Sequence, residues 1–297
     1  MKKILILGGT GMLGHTLFTY LASHSEFDVY ATARSSSGLS SWFPDKIAAR
    51  VRVGVEADNF DSVIRALAAI RPDIVINCIG LIKQSDAAKD PLSAITINSR
   101  LPHRISLLCR ASGARMIHIS TDCVFSGSTG SYTEEDIADG RDLYGRTKWL
   151  GEISYPNCLT LRTSIIGHEL KGHLGLIGWF LAQHGQVRGF TRAIFSGLPT
   201  IELAEIILRH VLVDDSLQGI LHVSSEPISK YDLLKLVAAR YRRQVEIEPE
   251  ADFRVDRSLD SNRFRRLTGY RPPAWPELVE KMYQHYLTVP YYRDQVS

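Results

Sequence analysis

The sequence has no long apolar run, and this absence argues against a membrane protein. No stretch approaches the ~18 apolar residues of a transmembrane helix, so we expect a soluble chain with no membrane partner. Lys2 and Lys3 precede an apolar run, as in a secretory signal. That run spans only residues 4–7, and no small-residue cleavage site follows it. We therefore expect a cytoplasmic protein.

Cysteine is also scarce, with four residues in 297. The cysteines form neither a C-x-x-C pair nor a spacing typical of metal ligands. We therefore expect no metal site and reduced thiols, as is usual in the cytoplasm. The four are Cys78, Cys109, Cys123 and Cys158.

The chain lacks an excess of charge of either sign. Its formal net charge of +3 is too small to indicate a nucleic-acid partner, although it suits an anionic small ligand. With 44% hydrophobic and 23% charged residues, the composition is that of a globular chain. The length suits one or two domains with a sizeable core.

What the sequence does have is a glycine-rich turn directly after an apolar strand. Residues 4–7 predict a strand buried on both faces. Gly9, Gly11 and Gly14 match G-x-G-x-x-G, and Gly8 offers an alternative first glycine. Glycine lets a backbone turn sharply and approach a pyrophosphate, at which the following helix directs free N–H groups. A turn that serves packing alone is the alternative. We assign to a dinucleotide cofactor Gly8, Thr10, Gly11, Met12, Leu13 and Gly14.

The ends of the second and third predicted strands concern the adenosine half of that cofactor. The second strand, residues 28–33, ends on Arg34 and Ser35. An arginine there accommodates a 2′-phosphate, whereas a carboxylate would hold a 2′-hydroxyl. Arg34 therefore favours NADP(H) over NAD(H), the alternative being a solvated loop arginine. Glu56, beside Ala57, is either a partner of the adenine amino group or a surface charge.

The first half of the chain alternates strands with helices, which predicts an α/β fold with a doubly wound parallel sheet of the Rossmann type. We expect residues 1–165 to form a dinucleotide-binding core and residues 199–224 to return to it. Residues 166–198 and 225–297 are expected to form a smaller, mixed substrate-binding region. The further core strands are predicted at residues 73–78, 114–120, 159–163 and 219–223.

Polar and small residues follow these strands at the carboxyl edge, where an open α/β sheet holds its ligand. The fifth strand delivers Thr121 there. Tyr144 and Lys148 lie four apart on a predicted helix and therefore share one face. Asn98 lies within a predicted helix, residues 92–112, where asparagine is unfavourable. It is either a polar core residue or part of the site. We add to the expected cofactor residues Cys78, Ile79, Gly80, Asn98, Tyr144, Lys148 and Thr163.

These motifs together resemble the short-chain dehydrogenase/reductase superfamily in its extended form, which acts on nucleotide sugars. One branch matches in more detail, the dTDP-4-dehydrorhamnose reductase-like family. The resemblance is strong over residues 1–165 and recognisable to about residue 225. The matching segments are Val-Ile-Asn at 75–77, Ser-Thr-Asp-Cys-Val-Phe-Ser-Gly at 120–127, Leu-Tyr-Gly-Arg-Thr-Lys-Trp-Leu-Gly-Glu at 143–152, Leu-Arg-Thr-Ser at 161–164 and Gly-Leu-Pro-Thr at 197–200.

The resemblance implies a reductase in deoxysugar and polysaccharide biosynthesis. It would pass hydride from NADPH, with NADH also possible, to a 4-keto-6-deoxy nucleotide sugar. Tyr144 would donate a proton to the carbonyl oxygen, and Thr121 would hydrogen-bond the same oxygen. Lys148 would favour the phenolate and bond the nicotinamide ribose. The diphosphate needs cationic partners, for which surface arginines are the alternative interpretation. The expected substrate residues are Lys83, Asp122, Val124, Arg192 and Arg257.

Three departures from the family pattern leave the sugar open. Cys123 stands where family members usually have tyrosine, and Cys78 and Ile79 replace a pair of alanines. Lys83 lies near the expected sugar position. These changes leave the cofactor chemistry intact, so only the hexose and its nucleotide are in doubt.

Other functions remain open on this sequence. A nucleotide-sugar epimerase would keep its cofactor and recycle the hydride. A non-catalytic NADP-binding regulatory subunit, like that of methionine adenosyltransferase, would bind a partner protein. A 4,6-dehydratase fits less well, because those enzymes follow Thr-Asp with a glutamate where this chain has Cys123. A homodimer through helices at 92–112 and 144–153 is a further expectation from the resemblance.

Overall fold

The computed structural model describes residues 1–24, 26–83 and 86–294, and a parallel sheet lies at its centre. The strands of the chain are β1 (Lys2–Leu7), β2 (Phe27–Thr32), β3 (Val51–Arg52), β4 (Ile74–Asn77), β5 (Arg115–Ile119), β6 (Cys158–Arg162), β7 (Ile165–Ile166), β8 (Gly185–Phe190), β9 (Ala193–Phe195), β10 (Leu198–Pro199), β11 (Gly219–His222), β12 (Ile228–Ser229), β13 (Val245–Glu250) and β14 (Val255–Asp256). Seven of them form the central sheet in the order β11-β6-β5-β4-β1-β2-β3, with every neighbouring pair parallel. The strand order reverses beside β1, which confirms the predicted doubly wound fold.

Helices cover both faces of this sheet. The α-helices are α1 (Met12–Ala22), α2 (Leu39–Trp42), α3 (Asp45–Ala48), α4 (Phe60–Ile70), α5 (Pro91–Ala94), α6 (Leu101–Ser112), α7 (Leu143–Leu150), α8 (Leu176–Leu181), α9 (Thr200–Ile206), α10 (Lys230–Tyr241), α11 (Asn262–Thr268), α12 (Trp275–Thr288) and α13 (Pro290–Asp294). Among the described residues, none of these helices is long and apolar enough to span a membrane.

Side chains of β1 alternate between two apolar layers. Ile4 and Ile6 face one layer and Leu5 and Leu7 face the other, and all four are fully buried. The first layer also takes apolar side chains from α1, α9 and α12, whereas the second takes them from α4 and α6. Burial on both faces explains why β1 is an unbroken apolar run rather than an alternating one.

The predicted single helix over residues 92–112 is wrong in one detail. A π-helical segment, Ile95–Arg100, separates α5 from α6. Pro102 supplies a physical reason, because it has no N–H to donate to the carbonyl of Asn98 in an α-helical pattern. Asn98 therefore lies at an irregular point of the backbone.

The chain after β6 builds a smaller region from short strands. β9 pairs with β12 and β14, β8 pairs in parallel with β13, and β7 pairs with β10. Between these elements, β11 pairs with β6 at the edge of the central sheet, and α9 packs against α1. α10 packs against α12, and an ion pair joins Arg240 to Glu280 across them.

Candidate active site

The glycine turn after β1 is tightly constrained on its inner side. A Cβ at position 14 would lie 2.1 Å from the carbonyl oxygen of Gly8, and one at position 9 would lie 2.5 Å from the Cβ of Ala31. Gly8 itself has φ +84°, which favours glycine. The fold of the turn itself therefore requires glycine at positions 8, 9 and 14, whether or not a ligand binds.

Gly11 differs, and it gives a test of whether a dinucleotide fits. A Cβ at position 11 would meet only the Gly8 carbonyl oxygen, at an ordinary 3.5 Å, so glycine is not required there by the protein's own packing. Gly11 is also the N-cap of α1, and no side chain caps this helix. Free N–H groups beside an exposed glycine suit a pyrophosphate. The residues of the turn therefore fit the predicted cofactor.

His15 stabilises this turn by a hydrogen bond to its backbone, a contact that sequence reasoning missed. Its side chain is 2% exposed, and its Nδ1 lies 2.7 Å from the carbonyl oxygen of Gly11. The other ring nitrogen hydrogen-bonds the hydroxyl of Tyr292. Burial lowers the pKa of His15 to about 4, so the ring is neutral near pH 7. With Nδ1–H donating to Gly11, Nε2 is left to accept from Tyr292.

The expected adenosine residues lie at the exposed ends of β2 and β3. Arg34 and Ser35 are exposed, and no acidic residue ends β2. The backbone of Arg34 accepts a hydrogen bond from Gly54 at 3.2 Å, which joins the two strand ends. Glu56 is exposed and Ala57 half-buried. The charged side chains Arg34 and Glu56 are thus free to meet a ligand.

The segment after β4 lies against both the glycine turn and α7. A Cβ on Gly8 would lie 3.2 Å from Cγ1 of Ile79, and one on Gly80 would lie 3.7 Å from Nζ of Lys148. Asn98 holds this segment, because its Oδ1 accepts from the backbone N–H of Leu81 at 2.8 Å. The structure thus brings residues expected to bind cofactor next to residues expected to catalyse.

Thr121, Tyr144 and Lys148 meet at the carboxyl edge of the sheet. Asp142 caps α7 by accepting from the N–H of Gly145 at 2.7 Å, and α7 packs closely on the turn that follows Thr121. The Thr121 hydroxyl donates to Asp122 at 3.1 Å, and its proximity to the phenol acts to lower the pKa of Tyr144. Lys148 is 5% exposed and donates to the carbonyl oxygen of Ile119 at 2.7 Å.

The electrostatics of this trio differ from the sequence expectation. Burial raises the pKa of Tyr144 well above its usual range, and the neighbouring Cys123 and Asp122 add to the rise. Burial lowers the pKa of Lys148 to about 8, against the opposing effect of Glu152. In the chain alone, burial therefore sets the direction of the Tyr144 pKa, opposite to the lowering that we expected from Lys148. Tyr144 is a protonated hydrogen-bond donor near pH 7, as a proton donor must be.

A buried ion pair holds the residue that precedes Thr121, and sequence reasoning missed this pair as well. Glu152 and Arg162 form a two-pronged contact at 2.8 and 2.7 Å, and both side chains are at most 4% exposed. Ser120 donates to the same carboxylate at 2.7 Å. Because Ser120 precedes Thr121, this pair fixes the backbone that presents the Thr121 hydroxyl.

Most of the expected substrate residues surround the same edge. Lys83 forms an ion pair with Asp142 at 2.6 Å, and Arg257 donates from Nε to the carbonyl oxygen of Phe125 at 2.8 Å. Asp122 is 8% exposed; burial raises its pKa and Arg257 opposes the rise. The charges of these residues are therefore coupled across four segments of the chain, which follow β4, follow β5, precede α7 and follow β14.

Three of the residues that we expected to bind a ligand are not part of this charged cluster. Val124 is 1% exposed and packs with Phe125 in a small apolar cluster. Leu13 belongs to the apolar layer under α1. Arg192 is exposed, and its carbonyl oxygen accepts from Val255 at 3.1 Å. Lys230, which the sequence reasoning did not select, is half-buried, and its charge interacts with those of Asp122 and Arg257.

The part of the chain that the structure describes holds no group of three or more histidine, cysteine or acidic side chains arranged to bind a metal ion. Burial raises the pKa values of Cys78 and Cys123 to about 12, so both thiols are protonated near neutral pH.

Comparison with known proteins agrees with this geometry. The family described as the RmlD substrate binding domain matches residues 1–288. A dTDP-4-dehydrorhamnose reductase of Aggregatibacter actinomycetemcomitans is 25% identical, over 95% of this chain and 98% of that protein. The methionine adenosyltransferase 2 subunit beta of Mus musculus is 22% identical, over 95% of this chain and 90% of that protein.

A solved structure shares the fold over nearly the whole chain. The crystal structure of dTDP-4-dehydrorhamnose reductase from Bacillus anthracis, in complex with NADP, superposes with a TM-score of 0.78 at 22% identity. The superposition covers 96% of this chain and 99% of that one. Since the family match spans almost all residues, the chain belongs to the RmlD substrate-binding-domain family within the extended short-chain dehydrogenases/reductases.

Proposed function

We propose that this protein is an NADPH-dependent reductase of a 4-keto-6-deoxy nucleotide sugar in deoxysugar biosynthesis. The observation that carries the proposal is the meeting of Thr121, Tyr144 and Lys148 at the sheet edge that also holds the glycine turn. Gly80 connects this trio to the glycine turn, because Gly80 lies beside Lys148 and its neighbour Ile79 lies against Gly8. Relatives named as dTDP-4-dehydrorhamnose reductases support the substrate class.

Each member of the trio has a distinct task in this reaction. NADPH, when bound, supplies the hydride that adds to the carbonyl carbon. Tyr144 donates its phenolic proton to the carbonyl oxygen, so the ketone becomes a hydroxyl and Tyr144 becomes a phenolate. Thr121 donates a hydrogen bond to the oxygen as negative charge develops on it.

Lys148 stabilises the phenolate that this proton transfer leaves behind. With a pKa of about 8, Lys148 is mostly protonated near pH 7. A phenolate next to the ammonium raises that pKa further, since opposite charges favour each other's ionised forms. Lys148 therefore acts on the product side of the proton transfer, when the Tyr144 charge first appears.

The cofactor residues divide into three groups. The glycine turn and the N-terminus of α1 bind the pyrophosphate, and Arg34 with Ser35 binds the adenosine 2′-phosphate. Residues 78–80, Asn98 and Thr163 surround the nicotinamide end. The absence of a carboxylate at the end of β2 supports NADPH over NADH, although NADH remains a usable donor.

One observation favours a second candidate, a non-catalytic regulatory subunit. The mouse methionine adenosyltransferase 2 subunit beta aligns with 95% of this chain. A protein that only binds NADP needs no proton donor, however, and this chain keeps Thr121, Tyr144 and Lys148 together at one edge. We therefore rank the reductase first.

The test is a turnover assay on the purified chain. NADPH and a freshly generated panel of dTDP- and UDP-linked 4-keto-6-deoxy sugars are mixed with the protein, and loss of reduced nicotinamide absorbance is followed. We expect stoichiometric NADPH oxidation with one sugar. NADPH binding without oxidation of any sugar would exclude the reductase. A protein partner that co-purifies at fixed stoichiometry would then establish the regulatory subunit.

A homodimer and a cytoplasmic location complete the proposal. Several apolar side chains on α5, the π-helical turn, α6 and α7 are exposed, as a dimer face requires. Sedimentation equilibrium tests the dimer, and fractionation of cells tests the location. The exposed side chains are Leu92, Ile95, Leu107, Trp149 and Leu150.

A further inference from the structure

Helix α13 joins the C-terminal region to the glycine turn. Tyr292 of α13 is buried, and its hydroxyl hydrogen-bonds Nε2 of His15 on α1. His15 lies four residues after Gly11, where the turn passes into α1. The family match covers residues 1–288, whereas α13 begins at Pro290. The contact is therefore a feature of this chain that the family match does not describe.

Aromatic rings of the C-terminal region hold Tyr292 in place. Its ring centroid lies 4.9 Å from that of His168, 5.8 Å from that of His285 and 6.5 Å from that of Tyr286. His168 follows β7, whereas His285 and Tyr286 belong to α12. A packed set of rings therefore presents the Tyr292 hydroxyl to His15.

His15 links Tyr292 to one peptide group of the turn. The carbonyl oxygen of Gly11 accepts from the backbone N–H of His15 at 3.0 Å and from its Nδ1 at 2.7 Å. A carbonyl oxygen only accepts, so Nδ1 carries the ring proton and Nε2 accepts from the Tyr292 hydroxyl. Loss of that hydroxyl would leave Nε2 buried without its hydrogen bond, which costs free energy.

The orientation of that peptide group determines where the N–H of Met12 points. The peptide bond between Gly11 and Met12 is planar and trans, so its N–H and its carbonyl point in opposite directions. Met12 is the first residue of α1, and the first N–H groups of a helix have no partner inside the helix. The two donors of His15 fix the carbonyl, and they therefore also fix an N–H that is directed beyond the helix N-terminus, where an anion binds.

We propose that Tyr292 is a positioning residue for the dinucleotide cofactor, which acts through His15 on the N–H of Met12. This inference rests on the proposed function, from which it takes the glycine turn as the pyrophosphate site. It deepens that function by assigning part of the cofactor affinity to α13. NADPH and NADH share the pyrophosphate, so Tyr292 acts equally on both, whereas Arg34 is expected to act on the 2′-phosphate of NADPH alone.

The test measures the Kd of NADPH and of NADH for the full chain by fluorescence titration, which requires no turnover. We expect Tyr292→Phe to raise both Kd values about fivefold to tenfold, because it removes the hydroxyl and keeps the packed ring. In a turnover assay, the KM for NADPH should rise by the same factor while kcat at saturating NADPH is retained. Tyr291→Phe is the matched control on the same helix, because its ring stays 6.1 Å from that of Trp42, and both Kd values should stay within about twofold.

A double-mutant cycle separates this role from a general effect on stability. His15→Asn keeps an N–H donor for the Gly11 carbonyl oxygen, but its amide is too short to contact Tyr292. In that background, Tyr292→Phe should change the NADPH Kd by less than about twofold, since the link through His15 is already broken.

Several outcomes would overturn the inference. Unchanged Kd values in Tyr292→Phe, with the wild type binding NADPH, would refute it and leave the proposed function standing. An equal rise in both backgrounds would show that Tyr292 stabilises the fold without acting through His15. A rise for NADPH alone would place the effect at the 2′-phosphate instead of the pyrophosphate.

Two further results concern the starting proteins. A wild-type chain that binds neither cofactor would refute the glycine turn as the cofactor site and the proposed function with it. If thermal unfolding shows that His15→Asn does not fold, the effects of Tyr292→Phe and Tyr291→Phe on the two Kd values decide the matter without the cycle.

Discussion

Two parts of the proposed site are built by different means: the glycine turn of residues 8–14, which is the proposed cofactor edge, and the charged cluster of Lys83, Asp122, Asp142 and Arg257, which is the proposed substrate edge. At the cofactor edge, backbone geometry decides: positions 9 and 14 accept no side chain, and Gly8 has a left-handed conformation. At the substrate edge, charged side chains from separate segments decide, with Arg257 directly after the two-residue strand β14 and Lys83 paired with Asp142. Backbone constraints leave local sequence motifs, whereas a set of charges assembled from distant segments leaves none.

The largest expected effect falls where the two edges meet, at Tyr144. Tyr144→Phe removes the proposed proton donor while leaving the ring, so we expect turnover to fall by about three orders of magnitude. NADPH affinity should be unchanged, because the glycine turn is intact. Steady-state kinetics and a fluorescence titration of NADPH measure the two quantities.

Tyr155→Phe is the control for this substitution. The Tyr155 hydroxyl hydrogen-bonds His103 at 2.9 Å at an exposed site, so its loss should leave turnover unaffected. Near-normal turnover in Tyr144→Phe would contradict the assignment of Tyr144 and with it the proposed mechanism.

A second prediction concerns three histidines around Tyr292, which come from the first helix and from the second half of the chain. His15 from α1, His168 from the loop after β7 and His285 from α12 all contact Tyr292, and burial lowers their pKa values to about 4, 3 and 4. The unfolded chain takes up these protons below about pH 6.5, whereas the folded chain does not until pH 4 or lower. The free energy of unfolding therefore falls as pH drops from 6.5 towards 4.

Each histidine contributes up to about 3 kcal/mol to this acid destabilisation. Urea unfolding at a series of pH values measures it, and His168→Phe should flatten the profile between pH 6.5 and 4 by removing one titrating ring. A profile of unchanged slope in that variant would show that burial does not hold His168 neutral.

The contrast between the edges also explains which features of the fold and the site could be predicted from the sequence. The strands of the central sheet, the glycine turn and the Tyr-x-x-x-Lys spacing are local patterns, so the fold class and the placement of Tyr144 beside Lys148 were predictable. The contact of His15 with Tyr292 joins residues 277 positions apart, and no local pattern marks it. The position of Arg257 depends likewise on the pairing of β14 with β9. The rise in the Tyr144 pKa depends on burial, which spacing does not report.

A third prediction concerns Gly11, which tests whether the glycine turn binds the pyrophosphate. Because a Cβ at position 11 meets nothing closer than 3.5 Å, Gly11→Ala should leave the free energy of unfolding within about 0.5 kcal/mol. A bound pyrophosphate would approach that Cβ, so NADPH affinity should fall about tenfold or more. Gly14→Ala is the comparison, since its Cβ would collide with the Gly8 carbonyl and lower stability without any ligand. Unchanged NADPH affinity in Gly11→Ala would place the pyrophosphate elsewhere.

The smallest expected effect is at the adenosine end, where Arg34 is exposed and screened by solvent. Arg34→Ala should raise the KM for NADPH about fivefold to tenfold, since an exposed charge-assisted contact to a phosphate is worth little more than 1 kcal/mol. The KM for NADH should not change, because NADH has no 2′-phosphate. Arg52→Ala, at the exposed end of β3, serves as a charge-matched control. Equal rises for both cofactors would show that Arg34 holds the loop rather than the phosphate. A rise for NADPH alone would show that the proposed cofactor edge selects between the two cofactors through the Arg34 side chain.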